Sequence, residues 1–111
     1  MLYYGDVDRV FQALADPNRR RMVEHLAAGP LSVSALGAPL EISLAAVVQH
    51  VQALEACGIV STKKTGRTRL CTINPAALAA AESWFSARRA EWEVCFNRLE
   101  DFLRDEKGNK K

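Results

Sequence analysis

The chain has 111 residues, of which 49% are hydrophobic and 25% charged, with a formal net charge of +2. This composition predicts one globular domain, residues 1–111, and excludes a disordered chain, while the length leaves little room for a large catalytic cleft. A domain of this size buries only about two-thirds of its unfolded surface, so an obligate dimer is considered from the start.

The first three predicted elements are helices. The first helix is predicted from Asp6 onward, because apolar residues follow at helical spacing: Val7, Val10, Phe11 and Leu14. Asp16 and Pro17 predict a capped start for a second helix, which ends at Gly29 and Pro30. Ser32 or Ser34 can cap a short third helix around Leu36, which Gly37 and Pro39 keep short.

A fourth helix, 43–57, is predicted to begin at Ser43 and to end at Gly58. One buried stripe is expected on it, at Leu44, Val47, Val51 and Leu54. Two strands follow, at residues 59–62 and 69–73, with a turn at residues 65–68. They form a β-hairpin directly after the fourth helix.

The positive charge is concentrated in this hairpin. Residues 1–58 hold four basic and six acidic side chains, and residues 75–111 hold seven of each sign. Residues 59–74 hold no acid and four cations: Lys63, Lys64, Arg67 and Arg69. Such a block is typical of a small electrostatic contact surface rather than of a charged tail.

A long last helix (about 75–105) is predicted from Asn74 and Pro75, with no breaker before Gly108. Thirty residues span roughly 45 Å, too long for so small a domain to cover. Apolar residues repeat every seven positions, so we expect a partner helix from a second copy. The expected dimer interface joins the first and last helices: Val7, Val10, Phe11, Leu78, Trp84, Phe85, Trp92, Cys95, Leu99 and Phe102. A helix folded back over its own core is the alternative.

The element order is ααααββα, which predicts a winged helix-turn-helix: mainly α with a small β-hairpin (α+β). The fourth helix can enter the major groove of double-stranded DNA. The cations of the basic wing, residues 61–70 of the hairpin, can reach phosphates. The expected DNA contacts are Ser43, Ala45, Val48, Gln49, His50, Gln52, Lys63, Lys64, Arg67, Thr68 and Arg69. Glutamine amides are suited to adenine edges.

Three segments resemble the ArsR/SmtB family of winged-helix repressors. Residues 14–21, LADPNRRR, resemble its opening motif, and residues 43–54 resemble its recognition helix. Residues 57–60, followed by Gly66 and Arg67, resemble its helix end, first strand and wing turn. The resemblance covers about residues 7–75. It implies a homodimeric transcriptional repressor that binds a palindromic operator.

Two positions depart from the pattern of that family. Val48 and Val51 stand where the family has Ser and Leu, so one hydrogen bond to DNA is lost. The resemblance also implies metal sites, for which this chain lacks the ligands. Residues 31–36 hold serines where the arsenic and cadmium type has cysteines, and the last helix holds no His for the zinc type. Zinc prefers N and S ligands, so we expect no metal and no cofactor; the aromatic last helix resembles a metal-independent branch.

Several side chains keep a structural interpretation beside the functional one. Gln49, Gln52 and the wing arginines can simply be solvated, His50 can be a partly buried hydrogen-bonded residue, and Trp84 and Trp92 can be core or line a pocket. The positive charges of residues 19–21 lie at a helix start, where they need an acid such as Glu55 or a DNA phosphate.

Three scattered cysteines, Cys57, Cys71 and Cys95, do not make a disulfide framework, and no apolar run reaches ~18 residues. We therefore expect a reduced cytoplasmic protein with no signal peptide and no membrane contact. A thiol-responsive repressor is an alternative, although no cysteine has an obvious activating cation beside it.

The main competing function is a winged-helix protein-interaction module without DNA binding. Val48 and the modest net charge favour it, and the acid-free wing opposes it. An enzyme has no support, because no Ser-His-Asp order, phosphate-binding glycine loop or metal cluster is found. The sequence identifies no small-molecule inducer.

Overall fold

The computed structural model of the chain describes residues 4–108. Its elements are α1 (Tyr4–Leu14), α2 (Pro17–Leu26), β1 (Leu31–Ser32), α3 (Val33–Gly37), a 3₁₀ turn (Ala38–Leu40), α4 (Leu44–Ala56), β2 (Val60–Thr65), β3 (Thr68–Ile73) and α5 (Pro75–Gly108). The predicted winged helix-turn-helix order is confirmed, with α1 beginning two residues earlier than expected. The ends of the predicted domain, residues 1–3 and 109–111, lie outside the described residues.

Polar side chains cap α2 and α5 as predicted. The Asp16 carboxylate accepts hydrogen bonds from the backbone N–H groups of Asn18 at 2.8 Å and Arg19 at 3.1 Å, at the start of α2. The Asn74 side-chain oxygen accepts from the N–H of Ala76 at 3.2 Å, at the start of α5. These caps satisfy N–H groups that have no partner inside the helix.

The sheet has three antiparallel strands in the order β1-β3-β2. The predicted hairpin is present, with β2 and β3 paired from Val60↔Ile73 to Thr65↔Thr68. Gly66 closes the two-residue turn with φ 62°, a backbone conformation that glycine adopts without steric cost. The sequence missed β1, because a two-residue strand is too short to show an alternating pattern.

One hydrophobic core joins the helices to the sheet in the part of the chain up to Ala81. Met22, Leu36, Leu54 and Ile59 are fully buried there. The rest of the buried cluster comes from all these elements: Val10, Ala13, Leu26, Leu40, Val47, Val51, Val60, Cys71 and Ala81. Burial of a large apolar side chain contributes about 1.5–3 kcal/mol, so this cluster is the main source of stability of the fold.

Two predictions about apolar residues need correction. Leu44, expected in the buried stripe of α4, is 62% exposed. It is the first residue of α4, three positions ahead of Val47, the first buried residue of that helix. Val7 and Val10, expected at the dimer interface, are buried within the protomer itself, with Val10 only 2% exposed. We therefore assign both valines to the core of the protomer.

The chain divides into two compact units, one up to Ala81 and one from Glu82 onward. The second unit is the remainder of α5. Exposed apolar side chains run along it: Phe85, Trp92, Val94, Phe96, Leu99, Phe102 and Leu103. Contacts one turn apart stabilise it, including the Arg88–Glu91 ion pair at 2.8 Å and the Arg88 guanidinium 5.2 Å from the Trp84 ring centre.

Within residues 4–108, no single helix is long and apolar enough to cross a membrane. The bent pair Val33–Leu40 and Leu44–Ala56 passes such a test by length and composition only.

Candidate nucleic-acid interface

Close packing sets the angle between α3 and α4, the two helices of the helix-turn-helix. A Cβ atom on Gly37 would lie 2.4 Å from Val47 Cγ2, so only glycine allows this approach. Glu41 then turns the chain with φ 54° before α4 begins. The core side of α4 is held by Val47, Val51 and Leu54, and its opposite side remains exposed.

Serine side chains cap both helices of this motif. Ser32, and not Ser34, caps α3 by accepting from the N–H of Ala35 at 3.1 Å. Ser43 caps α4 by accepting from the N–H of Ala46 at 3.1 Å. The Ser43 hydroxyl therefore has a structural partner already, whether or not it also contacts DNA.

The exposed side of α4 carries most of the residues expected to contact DNA. Ala45, Val48, Gln49 and Gln52 are all exposed. Leu44 shares this surface and was missed, because its spacing also fits the buried stripe. The only sequence signal that could have indicated its exposure is its position directly after the capping Ser43, ahead of the first core residue.

His50 is half-buried and faces the start of α2. Partial burial acts to raise the pKa of Asp16. Hydrogen bonds from the N–H groups of Arg19 and Asn18 and the nearby charges of His50 and Arg19 outweigh it, so the pKa of Asp16 is lowered. Proximity to this carboxylate favours a structural role for His50.

The tip of the wing places two cations directly opposite each other. Lys64 on β2 is the cross-strand partner of Arg69 on β3. Like charges in such a pair destabilise a hairpin, unless an anion binds between them. Lys63 pairs with Leu70 and so belongs to the other face of the hairpin. Arg67 lies in the turn and is exposed.

A chain of hydrogen bonds links the wing to α4. Arg69 Nη1 donates to Thr62 Oγ1 at 2.9 Å, and that hydroxyl donates to Glu55 Oε2 at 2.5 Å. Arg69 is thereby held toward the side of the wing that faces α4. The charge of Lys64 remains available beside it.

A groove of about 770 Å³ lies between α4 and the wing. Leu44, Val48 and Gln52 form its helix side, and Arg67, Thr68 and Arg69 form its wing side. Ser32, Val33, Ser34, Val51, Glu55 and Thr62 complete its lining. A helix surface that is largely apolar, with the Gln52 amide and the Glu55 carboxylate, thus faces a cationic surface of the wing across an open groove.

The arginines at the start of α2 find a different partner from the one expected. Arg20 Nη1 donates to the backbone oxygens of Leu14 at 2.8 Å and Ala15 at 3.0 Å. Glu55, the acid suggested for this role, binds Thr62 instead. The positive charge at residues 19–21 is therefore offset in part by the carbonyl groups at the end of α1, which carry partial negative charge.

The three cysteines differ in environment. Cys71 is fully buried, and burial raises the pKa of its thiol; the Glu55 charge also raises it, while Arg69 lowers it. Cys57 is half-buried and its thiol donates to the Leu54 carbonyl oxygen at 3.3 Å. Cys95 is exposed on α5. A buried thiol with a raised pKa is a poor nucleophile, which speaks against Cys71 as a sensor.

No group of three or more His, Cys, Asp or Glu side chains that could hold a metal ion occurs within residues 4–108. The expected absence of a metal site stays a prediction.

Comparison with known proteins identifies related regulators. A family model described as a helix-turn-helix domain matches residues 14–62, from the end of α1 into β2. The HTH-type transcriptional regulator Rv2034 of Mycobacterium tuberculosis is 42% identical over 80 residues, which are 72% of this chain and 75% of that protein.

Solved structures agree. A crystal structure of an ArsR family transcriptional regulator has a TM-score of 0.78 at 37% identity, covering 83% of this chain and 95% of that one. A solution structure of a homodimeric winged helix-turn-helix DNA-binding domain from Mycobacterium bovis, a possible ArsR-family regulator, has a TM-score of 0.63. It covers 77% of this chain and 80% of that one at 23% identity, a likeness of fold alone.

Proposed function

The chain belongs to the ArsR family of winged helix-turn-helix transcriptional regulators, and we propose that it is a homodimeric repressor of a palindromic operator. Regulators of this family bind DNA and are not enzymes. Here repression follows from occlusion of the promoter, and no metal ion serves as inducer. A regulator works where the chromosome is, so the expected cytoplasmic location follows from this proposal.

The observation that carries the proposal is the groove between α4 and the wing. Its wing side is formed by Arg67, Thr68 and Arg69, and Lys64 lies across the hairpin from Arg69. Like charges in such a pair destabilise a hairpin, and a phosphate bound at the tip offsets this repulsion. Arg67 in the turn adds a further contact. Base contacts then come from Ala45, Val48, Gln49 and Gln52 on the exposed side of α4. Thr68 completes the contacts within the groove, and Lys63 adds a contact from the other face of the hairpin.

The proposed dimer rests on α5. Its exposed aromatic and aliphatic residues recur at seven-residue steps, as at Phe85, Trp92 and Leu99. A second copy is the simplest partner for such a seam, and the homodimeric winged-helix domain from M. bovis is a precedent in the same fold. A two-fold dimer would place its two α4 helices in successive major grooves, ~34–36 Å apart. Phe11, Leu78, Trp84, Cys95 and Phe102 complete the proposed interface.

Independence from metals is argued from the residues present. Ser32 occupies part of the stretch where the arsenic and cadmium type holds cysteines, and its hydroxyl caps α3. Residues 75–111 contain no His for a zinc site of the last helix. Solvated carboxylates such as Glu91, which is paired with Arg88, are poor zinc ligands by themselves.

Fluorescence anisotropy tests the proposal with DNA from upstream of the protein's own gene against scrambled DNA. The titrations run over a salt series, with EDTA and with excess zinc. We expect tight, salt-sensitive, sequence-selective binding that neither addition changes. Zinc-dependent release would contradict the metal-independent part, and no binding to either DNA at low salt would favour the protein-interaction module.

Two variants separate affinity from selectivity. Arg67→Ala should weaken binding to all sequences and reduce the salt slope by about one, because it removes one phosphate contact. Arg89→Ala, an exposed arginine on α5, is the charge-matched control and should leave the slope unchanged. Gln49→Ala should instead relax preference at one base pair, at a cost of ~1–3 kcal/mol. An unchanged slope for Arg67→Ala would refute the wing assignment.

A further inference from the structure

Two large apolar side chains are exposed on the surface of α4 assigned to DNA. Leu44 is 62% exposed and Val48 is 39% exposed. Among residues 7–81, no other large apolar side chain is exposed to this degree. The two residues are four apart, so they are neighbours on one side of the helix. Both line the groove that faces the wing.

Their chemistry limits what they can recognise. Neither Leu nor Val has a hydrogen-bond donor or acceptor in its side chain, so neither can read the polar edge of a base. In the major groove, the apolar group on a base edge is the C5-methyl of thymine. Contact between either side chain and that methyl removes apolar surface from water, which is favourable. Contact with a polar base edge would instead remove a polar group from water without giving it a hydrogen-bond partner.

We propose that Leu44 and Val48 read thymine methyl groups, so that each operator half-site carries thymines beneath these two side chains. This inference rests on the proposed function, because it requires α4 to lie in the major groove. Four residues of helix rise ~6 Å, close to two base steps of ~3.4 Å. The two thymines therefore lie about two base steps apart when α4 follows the groove.

The lining of the groove supports DNA as the ligand of these two apolar side chains. Arg67 and Arg69 face the same groove from the wing, so an apolar surface and a cationic surface are presented to one occupant. DNA offers both matching groups, a methyl on the base and a charge on the phosphate. Gln52, one further turn along the helix, adds an amide for an adjacent base.

Deoxyuridine substitution tests the proposal directly. Deoxyuridine lacks only the C5-methyl of thymidine and keeps its hydrogen-bonding groups. The operator found with the upstream DNA is titrated by fluorescence anisotropy, with each thymine replaced in turn in both half-sites. We expect two thymine positions in each half-site to be sensitive. Replacement at one of them should weaken binding about fourfold for each half-site changed, because burial of one methylene-sized group contributes about 0.8 kcal/mol.

Alanine variants show which side chain contacts which thymine. With Val48→Ala, deoxyuridine at one of the two positions should no longer weaken binding, and Leu44→Ala should do the same at the other. Gln49→Ala is the control, because it should keep both sensitivities. Both apolar side chains are exposed, so thermal unfolding should show little loss of stability in either variant.

The outcomes separate this inference from the proposed function. Selective binding that no deoxyuridine replacement weakens would overturn methyl recognition while the repressor proposal stands. Sensitivity that persists unchanged in both alanine variants would overturn the assignment to Leu44 and Val48. Absence of selective binding to any upstream DNA would refute the repressor and methyl recognition together.

Discussion

Asp16 caps α2 and lies near His50 of α4. Its carboxylate caps the start of α2, whose first two turns also hold three arginines at residues 19–21. A carboxylate favours the partial positive charge at a helix start, whereas arginines there oppose it. His50 of α4 adds a favourable charge interaction with the same group. Asp16 therefore offsets part of the cost of the basic segment.

Substitution of Asp16 should have a pH-dependent effect on stability. Asp16→Ala should lower the free energy of unfolding by about 1 kcal/mol at pH 7, because it removes the cap. The lowered pKa of Asp16 means that the charge contributes stability above about pH 4, and that this contribution is lost as pH falls through the folded pKa. Urea unfolding at pH 7 and at pH 3 measures both effects.

Asp16→Asn is the matched control for the charge. Asparagine keeps a capping oxygen but has no carboxylate to titrate. It should be less stable than the wild type at pH 7 and nearly equal to it at pH 3. An equal deficit at both pH values would contradict the assignment of the pH dependence to Asp16.

At the scale of elements, the contact between α3 and α4 sets the orientation of the DNA-facing helix. Gly37 has φ −84°, an ordinary helical conformation, so its backbone would accept any residue. The restriction comes from space, because Val47 of α4 packs against it. Glycine at this position is therefore required by packing and not by backbone conformation.

Gly37→Ala should destabilise the protein by about 1–3 kcal/mol, the usual cost of inserting a methyl group into a packed core. The added Cβ would meet both Val47 methyl groups, Cγ2 at 2.4 Å and Cγ1 at 2.9 Å. The measurement is the midpoint of urea unfolding for each variant.

The double variant Gly37→Ala, Val47→Ala supplies the control. Removal of the Val47 methyl groups makes room for the new Cβ, so the double variant should lose less stability than the two single variants together. Strict additivity would show that the cost of Gly37→Ala has another origin.

At the scale of the whole molecule, α5 presents more apolar surface than one chain covers. Trp92, Phe96 and Phe102 each have about 60% of their surface exposed. Burial of a large apolar side chain is worth about 1.5–3 kcal/mol, so a seam of several such residues can hold two chains together. Dimerisation then joins two DNA-binding units into one bivalent protein, which raises affinity for a two-part operator.

Leu99→Glu should disrupt the dimer, because it places a charge in the apolar seam. Sedimentation equilibrium should show a monomer, and operator affinity should fall on the order of 100-fold through loss of bivalency. Asn97→Glu introduces the same charge two positions away, at an exposed position on the row of Ser83, Ala90 and Arg104, and should remain dimeric. A dimeric Leu99→Glu protein would exclude this seam as the interface.

Local signals in the sequence predicted much of the fold correctly. Asp16, Ser43 and Asn74 cap helices in the structure as their positions indicated. These features depend on residues within a turn of each other, so they are visible in one segment. The acid-free cationic block likewise identified the wing. Strand β1 was missed because its pairing with β3 joins segments about 40 residues apart, as in Leu31↔Cys71.

The sequence by itself determined the order of the helices and the hairpin, the helix caps, the basic wing and the family resemblance, because each depends on neighbouring residues. Only the tertiary structure decided which apolar residues are covered. Val10 and Leu44 follow the same helical spacing, yet the first packs into the core and the second lies open in the groove. It also decided that Arg20 binds the end of α1 and that Arg69 is held by Thr62. Burial and long-range partners depend on how distant elements pack, which spacing along one helix cannot specify.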